Sequence, residues 1–170
     1  MVEWPPMRWL VDGYNVIRCA PELTAHEHES LQAGREALCR LLASAARTSG
    51  DQFTVVFDGA RGGTAFGGRG VRVLFSRAPE KADQVLARLA SAGVAVVSND
   101  REVHRAVART GAVVVTADEF VARVFAPSGF DEEEEDEPRP RPKKGNPRRP
   151  PKKARAAGRA LRRLDPSRKR

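Results

Sequence analysis

Short runs of β-branched and apolar residues alternate along this chain with longer segments of helical periodicity. Parallel strands are joined by crossover connections that usually contain a helix, so this alternation is typical of a parallel α/β sheet. The predicted strands are Trp9–Val11, Phe53–Phe57, Val71–Phe75, Val94–Val97 and Ala112–Val115. The chain is therefore predicted to fold as an α/β domain.

Apolar residues at helical spacing and capping signals predict four helices. They are Leu31–Thr48, Pro79–Ser91, a segment after Asp100, and a segment from a Thr116 capping box to Phe125. The connection Gly59–Gly70 contains six glycines and is too short for a helical crossover, so it is predicted to be a loop.

The basic charge of the chain is concentrated towards its C-terminal end. The 170 residues contain 30 Lys and Arg against 22 Asp and Glu, and after residue 130 there are 15 basic residues against 8 acidic ones. This segment begins with an acidic run, Asp131–Glu137, and contains no aromatic residue. Because it offers little apolar surface to offset the entropy of ordering, we predict a domain over residues 7–127 and a disordered, acidic-then-basic tail over residues 128–170.

Composition argues against several classes of protein. Apolar runs such as Val94–Val97 are far shorter than the roughly 20 residues that span a bilayer, so no membrane partner is expected. The first ten residues lack the basic and apolar segments of a secretory signal, which predicts a cytoplasmic location. Cys19 and Cys39 have no metal-ligand spacing and are predicted to be core thiols. The glycine-rich loop precedes a strand and lacks Gly-Lys-Ser or Gly-Lys-Thr, so no nucleotide cofactor is expected.

Aspartates follow three of the predicted strands. Asp12, Asp58 and Asp100 each lie at a strand's carboxyl end, which is the edge where ligands bind in open α/β sheets. Asp83 borders the apolar stripe of a predicted helix, so its carboxylate is expected to reach the same edge. Carboxylates gathered in one crevice repel one another, and the natural occupant is a hard divalent cation such as Mg²⁺ or Mn²⁺.

Each aspartate also has a simpler explanation when it is considered alone. Asp12 and Asp58 begin Asp-Gly pairs that occur in ordinary turns, and Asp100 is a suitable helix cap. The helix dipole favours Asp83 in a first turn whether or not it binds a ligand. Only the joint pattern predicts a metal site.

Four short motifs surround these aspartates, in order along about Arg8–Phe125. They are Val11-Asp12-Gly13-Tyr14-Asn15-Val16-Ile17, Val55-Val56-Phe57-Asp58-Gly59, Lys81-Ala82-Asp83-Gln84 and Val97-Ser98-Asn99-Asp100. Together they resemble the YacP-like NYN family, which belongs to the PIN-like nuclease fold. The resemblance implies a three-layer α/β fold, with a five-stranded, mainly parallel sheet and helices on both faces. It also implies a divalent-metal acidic centre and endoribonuclease activity, which the family's studied bacterial branch directs at messenger RNA on the ribosome.

Matching the motifs residue by residue gives each acidic position an implied role. Asp12, Asp83 and Asp100 fall on the family's metal-binding acids. Asn15 falls on the amide that orients the first of them, and Asp58 on the acid that closes the second strand. These five residues form the implied catalytic set.

Basic residues are predicted to contact the RNA. Those in and beside the glycine-rich loop are Arg61, Arg69 and Arg72, and those in the tail are Lys143, Lys144, Arg148, Arg149, Lys152 and Lys153. Cations of this kind neutralise phosphates without reading sequence. A solvated basic loop explains the three loop arginines equally well.

The predicted function is a metal-dependent endoribonuclease whose basic tail adds affinity for RNA or ribosomes. The main alternative is a catalytically weak RNA-binding or ribosome-associated adaptor with the same fold. It is favoured by Gln84, because many relatives have Asp-Glu where this chain has Asp83-Gln84 and one negative charge is therefore missing. A phosphohydrolase acting on a small phosphate ester is the second alternative, although a small substrate gains nothing from a long cationic tail.

Overall fold

The computed structural model describes residues 5–59, 67–126 and 151–165. A five-stranded sheet with the order β3-β2-β1-β4-β5 runs through the middle, and every neighbouring pair of strands is parallel. The strands are β1 Arg8–Asp12, β2 Gln52–Phe57, β3 Val71–Phe75, β4 Val94–Val97 and β5 Val113–Val115. The helices are α1 Gly13–Cys19, α2 Pro21–Glu29, α3 Leu31–Ser49, α4 Ala82–Leu89, α5 Arg101–Ala108, α6 Ala117–Val124 and α7 Lys152–Leu161, the last followed by a 3-10 turn, Arg162–Leu164. The predicted fold class is confirmed.

Helices cover both faces of the sheet, because successive residues of β1 point to opposite sides. Trp9 and Val11 belong to the larger core cluster, which packs beneath α1, α2, α3, α6 and α7. Leu10 belongs to a smaller cluster beneath α4 and α5. No helix in the described ranges is long and apolar enough to cross a membrane.

The strand order determines where a ligand crevice forms. The chain first moves outward from β1 to β2 and β3, and then crosses to the other side of β1 to form β4 and β5. The carboxyl ends of β1 and β4 therefore flank the point at which the direction of winding reverses, which is where open α/β sheets bind their ligands.

Helix α1 begins directly after β1, at a place where the sequence predicts only an Asp-Gly turn. Gly13 is the first residue of α1. A Cβ on this residue would lie 2.3 Å from Cε1 of Phe57, so only glycine allows α1 to approach the end of β2 this closely. The residues of α1 have only modest helix propensity. Burial of the inner face, which includes Val16 and Ile17, stabilises the helix instead.

Helix α7 contradicts part of the predicted tail. Ala157, Ala160 and Leu164 are buried in the larger core cluster, although they lie within the segment predicted to be disordered. A helix that docks on an existing core needs only a narrow apolar stripe, and composition averaged over the whole tail conceals that stripe. The prediction of disorder is therefore wrong for residues 151–165, and the domain extends beyond residue 127. Residues 127–150 and 166–170 lie outside the described part of the chain.

Two ion pairs fasten this segment to the domain. The Arg163 guanidinium contacts the buried Asp51 carboxylate at 2.8 Å, and Arg123 of α6 contacts Asp165 at 2.8 Å. Asp51 also accepts hydrogen bonds from the backbone N–H of Met7 and the indole N–H of Trp9. The start of β1 and the 3-10 turn after α7 are thus held at one carboxylate.

Candidate functional site

The candidate site lies at the carboxyl ends of β1 and β4. Asp12 is the last residue of β1 and the N-cap of α1, while Ser98, Asn99 and Asp100 follow β4 directly. Asp100 is the N-cap of α5, where its Oδ1 accepts a hydrogen bond from the Glu102 N–H at 2.7 Å. The end of each strand thus delivers an aspartate to the crevice, as the sequence predicts.

Ser98 connects two of these acids. Its side-chain hydroxyl donates to Asp12 Oδ2 at 3.0 Å, and its Oγ accepts from the Asp100 N–H at 3.1 Å. Ser98 is completely buried, so the hydroxyl has a fixed environment. It holds the Asp12 carboxylate towards the segment that carries Asp100.

Asp12 is an unfavourable place for a negative charge. Burial raises the pKa of its carboxyl group, and the nearby negative charges of Asp100 and Asp83 raise it further. The Ser98 hydroxyl and the backbone N–H of Asn15 oppose this shift, because hydrogen-bond donors stabilise the charged form. The three acids are therefore close enough to interact electrostatically, although they come from three different elements.

Asp83 lies in the first turn of α4, where its Oδ1 accepts from the Gln84 N–H at 2.9 Å. Gln84 is exposed, and its Oε1 turns back to accept from the Lys81 N–H at 2.8 Å. Gln84 therefore caps its own helix. No three His, Cys, Asp or Glu side chains in the described ranges are grouped closely enough to hold a metal ion.

An amide network orders the other side of the crevice. The Asn15 side-chain oxygen accepts from the Asn99 N–H at 2.8 Å, so Asn15 fixes the segment that carries Asp100 and acts on Asp12 only through its backbone. The Asn99 amide nitrogen donates to Asp118 Oδ2 at 2.7 Å, and its oxygen accepts from the Ala117 N–H at 2.8 Å. Asn99 thereby ties β4 to α1 and α6.

Asn99 and Asp118 are functional candidates that the sequence reasoning missed. Asp118 lies three residues beyond the end of β5, so the rule that identified the other strand-end acids could have found it. Its role in the first turn of α6 concealed it, because an acid there is expected from helix capping alone. The contacts of Asn99 with Asp118 join residues distant in sequence, and no local pattern predicts them.

Asp58 lies on the β2 side of the edge and has a different neighbour. The Ser76 hydroxyl donates to Asp58 Oδ1 at 3.4 Å, and Ser76 Oγ accepts from the Gly59 N–H at 3.0 Å. These contacts link the ends of β2 and β3. Asp58 is therefore placed at the predicted edge, within a separate group of contacts.

Tyr14 of the first motif is held by a buried arginine. Arg35 of α3 is 2% exposed, and its Nε donates to the Tyr14 hydroxyl at 2.8 Å. The guanidinium also lies 5.3 to 5.7 Å from the ring centroids of Tyr14, Phe57 and Phe75. This arrangement locks α1 against α3, directly behind Asp12.

The surroundings of His104 and of the two cysteines show what each side chain can do. His104 of α5 is half-buried and its Nε2 donates to the Ser98 carbonyl oxygen, so it braces the β4 end. Burial raises the pKa of the Cys19 thiol, and Asp118 raises it further. A thiol in this state is a poor nucleophile, and Cys39 is less suited still because burial raises its pKa to about 11.

The four predicted RNA-contacting cations that the structure describes do not gather around the acids. Arg69 precedes β3 and Arg72 is its second residue, so both lie at the amino end of that strand. The loop must run from the carboxyl end of β2 to the amino end of parallel β3, which carries its last residues away from the acidic edge. Lys152 and Lys153 are exposed in the first turn of α7. The remaining predicted cations lie outside the described residues, namely Arg61, Lys143, Lys144, Arg148 and Arg149.

Comparisons with known proteins match this architecture. Two crystal structures of Rae1 (YacP) from Bacillus subtilis are similar to the chain, one of a point mutant and one without a stated mutation. The mutant is 27% identical, covers 69% of this chain and 74% of its own, and has a TM-score of 0.59. The other is 26% identical, covers 68% and 72%, and has a TM-score of 0.56. No curated protein sequence gives a significant match. The profile of the YacP-like NYN domain matches residues 9–164, which includes α7, and the chain therefore belongs to the YacP-like NYN domain family.

Proposed function

We propose that the protein is an endoribonuclease that hydrolyses RNA phosphodiester bonds with the help of Mg²⁺ or Mn²⁺. The observation that carries the proposal is the half-buried Asp12 carboxylate, which Ser98 holds beside the segment of Asp100 and whose pKa is raised by burial and then by the charges of Asp100 and Asp83. Like charges at this edge of an α/β sheet destabilise one another unless a cation neutralises them. Membership of the YacP-like NYN family, which has a PIN-like nuclease fold, supports the same reaction class.

The donor chemistry suits a hard divalent cation, which prefers carboxylate oxygens. Asp83 and Asp100 each use Oδ1 to accept a backbone N–H, and within the described residues Oδ2 of each accepts no hydrogen bond. Asp12, Asp83 and Asp100 are the residues that would hold the ion. A bound ion supplies an activated water and stabilises the charge that develops on the phosphate.

The chain's own residues position the acids. Ser98 holds Asp12 Oδ2, and Asn15 holds the backbone of Asn99, next to Asp100. Asp58 is proposed to support the metal-binding acids from the β2 side of the edge. These contacts fix the Asp12 carboxylate and the backbone next to Asp100, which lowers the cost of reaching the reactive geometry.

The proposal predicts that Asp12→Asn, Asp83→Asn and Asp100→Asn each abolish nearly all Mg²⁺-dependent cleavage of a labelled single-stranded RNA. Calorimetric titration with Mn²⁺ gives an independent readout and is expected to lose its binding signal in the same variants. Glu22→Gln is a matched control, because Glu22 is exposed on α2 and its loss removes one negative charge at a distance. Full activity in all three site variants, or cleavage unaffected by a chelator, would contradict the proposal.

The resemblance described above extends the proposal to the substrate and its location. We propose that the natural substrate is messenger RNA associated with ribosomes, which places the protein in the cytoplasm. Cosedimentation with ribosomes tests the association. The full chain is compared with a variant that lacks residues 128–150. Cleavage of free RNA without any ribosome association would limit the proposal to the reaction itself.

An RNA-binding adaptor with weak catalysis is the second candidate. It is favoured by the absence of a ready-made group of three metal-binding side chains among the described residues, and by the capping role of Gln84. The two candidates predict the same RNA affinity and differ in the response to metal. Salt-sensitive RNA binding with no cleavage at any Mg²⁺ or Mn²⁺ concentration would select the adaptor.

A further inference from the structure

A basic cavity opens at the amino edge of the sheet, opposite the acidic site. It has a volume of about 500 Å³ and lies where α3 ends and where β2 and β3 begin. Arg47 and Arg69 line it together with the small residues Ala46, Gly50 and Gly70. Small neighbours leave the guanidinium groups accessible from the cavity.

A second cavity of about 350 Å³ lies beside α7 at the same edge. Its cationic lining consists of Arg159, Arg162 and Arg163, and its apolar lining includes Val113 and Ala160. This cavity exists because α7 docks against the start of β5, so it could not be expected from a disordered tail.

The ion pair between Asp51 and Arg163 separates the two cavities, because Asp51 lines the first and Arg163 the second. Asp51 is the acidic residue among those that line the two cavities. Its side chain is fully buried, and its charge is neutralised by the ion pair with Arg163. The side chains of Arg69, Arg159 and Arg162 are exposed and make no hydrogen bond or ion pair within residues 5–59, 67–126 and 151–165. The net charge of this surface is therefore strongly positive.

We propose that this amino-edge surface, whose exposed arginines are Arg69, Arg159 and Arg162, binds the phosphate backbone of RNA outside the segment that reaches Asp12. The inference rests on the proposed function for its choice of RNA. Strand β1 has five residues at a rise of roughly 3.3 Å each, so the two edges are about 13 Å apart. One phosphate cannot occupy both edges, and the amino-edge surface is a second contact on a longer RNA.

The chemistry of the surface favours RNA over an acidic protein segment. Guanidinium groups bind phosphate oxygens through two parallel hydrogen bonds and also stack on bases. The partly exposed side chains of Val113 and Ala156 in the second cavity offer an unstacked base an apolar surface beside these guanidinium planes. A phosphate and its neighbouring base can thus be held together.

The test compares two double variants of the full chain that lose the same charge. Arg69→Gln with Arg162→Gln removes one cation from each cavity. Arg105→Gln with Arg109→Gln removes two exposed cations from the end of α5, outside both cavities. Binding of a 30-nucleotide single-stranded RNA is measured at several salt concentrations with a chelator present, so the result does not depend on whether the protein cleaves RNA.

We expect the amino-edge variant to reduce the slope of log affinity against log salt by about 1.4, at roughly 0.7 per lost phosphate contact, and the α5 variant to leave it nearly unchanged. An unchanged slope in the amino-edge variant, or an equal reduction in both variants, would overturn the proposal. AMP and inorganic phosphate serve as further probes. Micromolar AMP binding that depends on Arg69 would assign the cavity to a free nucleotide and would also overturn it.

Discussion

Under the proposed function Asp12 must be charged to hold a cation, yet it lies where a negative charge is costly. Its pKa is raised, so the folded state retains a proton that the unfolded state has already released. The stability associated with this group is complete below the ordinary pKa of 3.8, and it is lost as the pH rises through the raised value of the folded state.

Asp12→Asn removes this pH-dependent loss of folding stability, because an amide does not ionise. We expect the variant to become progressively more stable than the wild type as the pH is raised from 4 to 7, in the absence of divalent metal. Urea unfolding at four pH values measures the difference. A stability difference that stays constant across this range would contradict the assignment of Asp12 as the strained carboxylate.

Asn99 is the residue through which three elements meet. Asn99→Ala loses the hydrogen bonds to Asp118 and Ala117, and we expect it to lower the free energy of unfolding by about 1 kcal/mol. Asn99→Asp keeps an acceptor for the Ala117 N–H but places a second carboxylate against Asp118. This variant should lose further stability between pH 4 and 7, while the alanine variant should show no such pH dependence.

Helix α4 shows how the departure at Gln84 is accommodated. Glu accepts the Lys81 N–H as well as Gln does, and its charge is favourable in a first turn. Gln84→Glu is therefore expected to raise stability by about 0.5 kcal/mol and to leave Mn²⁺ affinity nearly unchanged, because the side chain points back to its own cap. Thermal unfolding and calorimetry check the two parts. A large gain in Mn²⁺ affinity would instead place residue 84 in the crevice.

The 3-10 turn after helix α7 contributes to stability, because its Arg163 is the ion-pair partner of Asp51. Arg163→Ala leaves this carboxylate buried with only the Met7 and Trp9 N–H donors, and we expect a loss of about 2 kcal/mol. Arg159→Ala is the control, because Arg159 is exposed on α7 and is expected to change stability by less than about 0.5 kcal/mol. Equal losses in both variants in denaturant unfolding would contradict the role of the ion pair.

The strands and helices α7 and α1 show what the sequence could predict and what it could not. The strands are evident from β-branched runs such as Val94–Val97, and strand-end acids follow from the sheet's polarity. Helix α7 has a signal of the same kind, because Ala157, Ala160 and Leu164 recur at helical spacing, but the surrounding charges dominate any average. Helix α1 has no such signal, since its existence depends on the fit of Gly13 against Phe57, which only the assembled sheet creates.

At the scale of the whole molecule, charge is separated along the strand direction. Asp12 and Asp100 lie at the carboxyl edge, whereas Arg69 and Arg162 lie at the amino edge. In the sequence, the excess positive charge lies near the C-terminal end of the chain. Because α7 packs against the domain, some of these cations lie on the surface of the folded domain. Chain order alone could not indicate this, because the docking of α7 is a long-range contact.

The Arg163 guanidinium also donates to the Pro5 carbonyl oxygen at 2.7 Å, which brings two distant parts of the chain side by side. An arginine side chain spans less than about 8 Å, so a linker of about five residues could join residue 165 directly to residue 5. A circular permutant closed in this way and opened within residues 127–150 should keep the same sheet order and the same pairing of Asp51 with Arg163. Near-identical far-ultraviolet circular dichroism and cooperative unfolding would confirm it, whereas a molten chain would contradict it. The fold would then depend on the contacts between its elements and would not depend on the order of those elements along the chain.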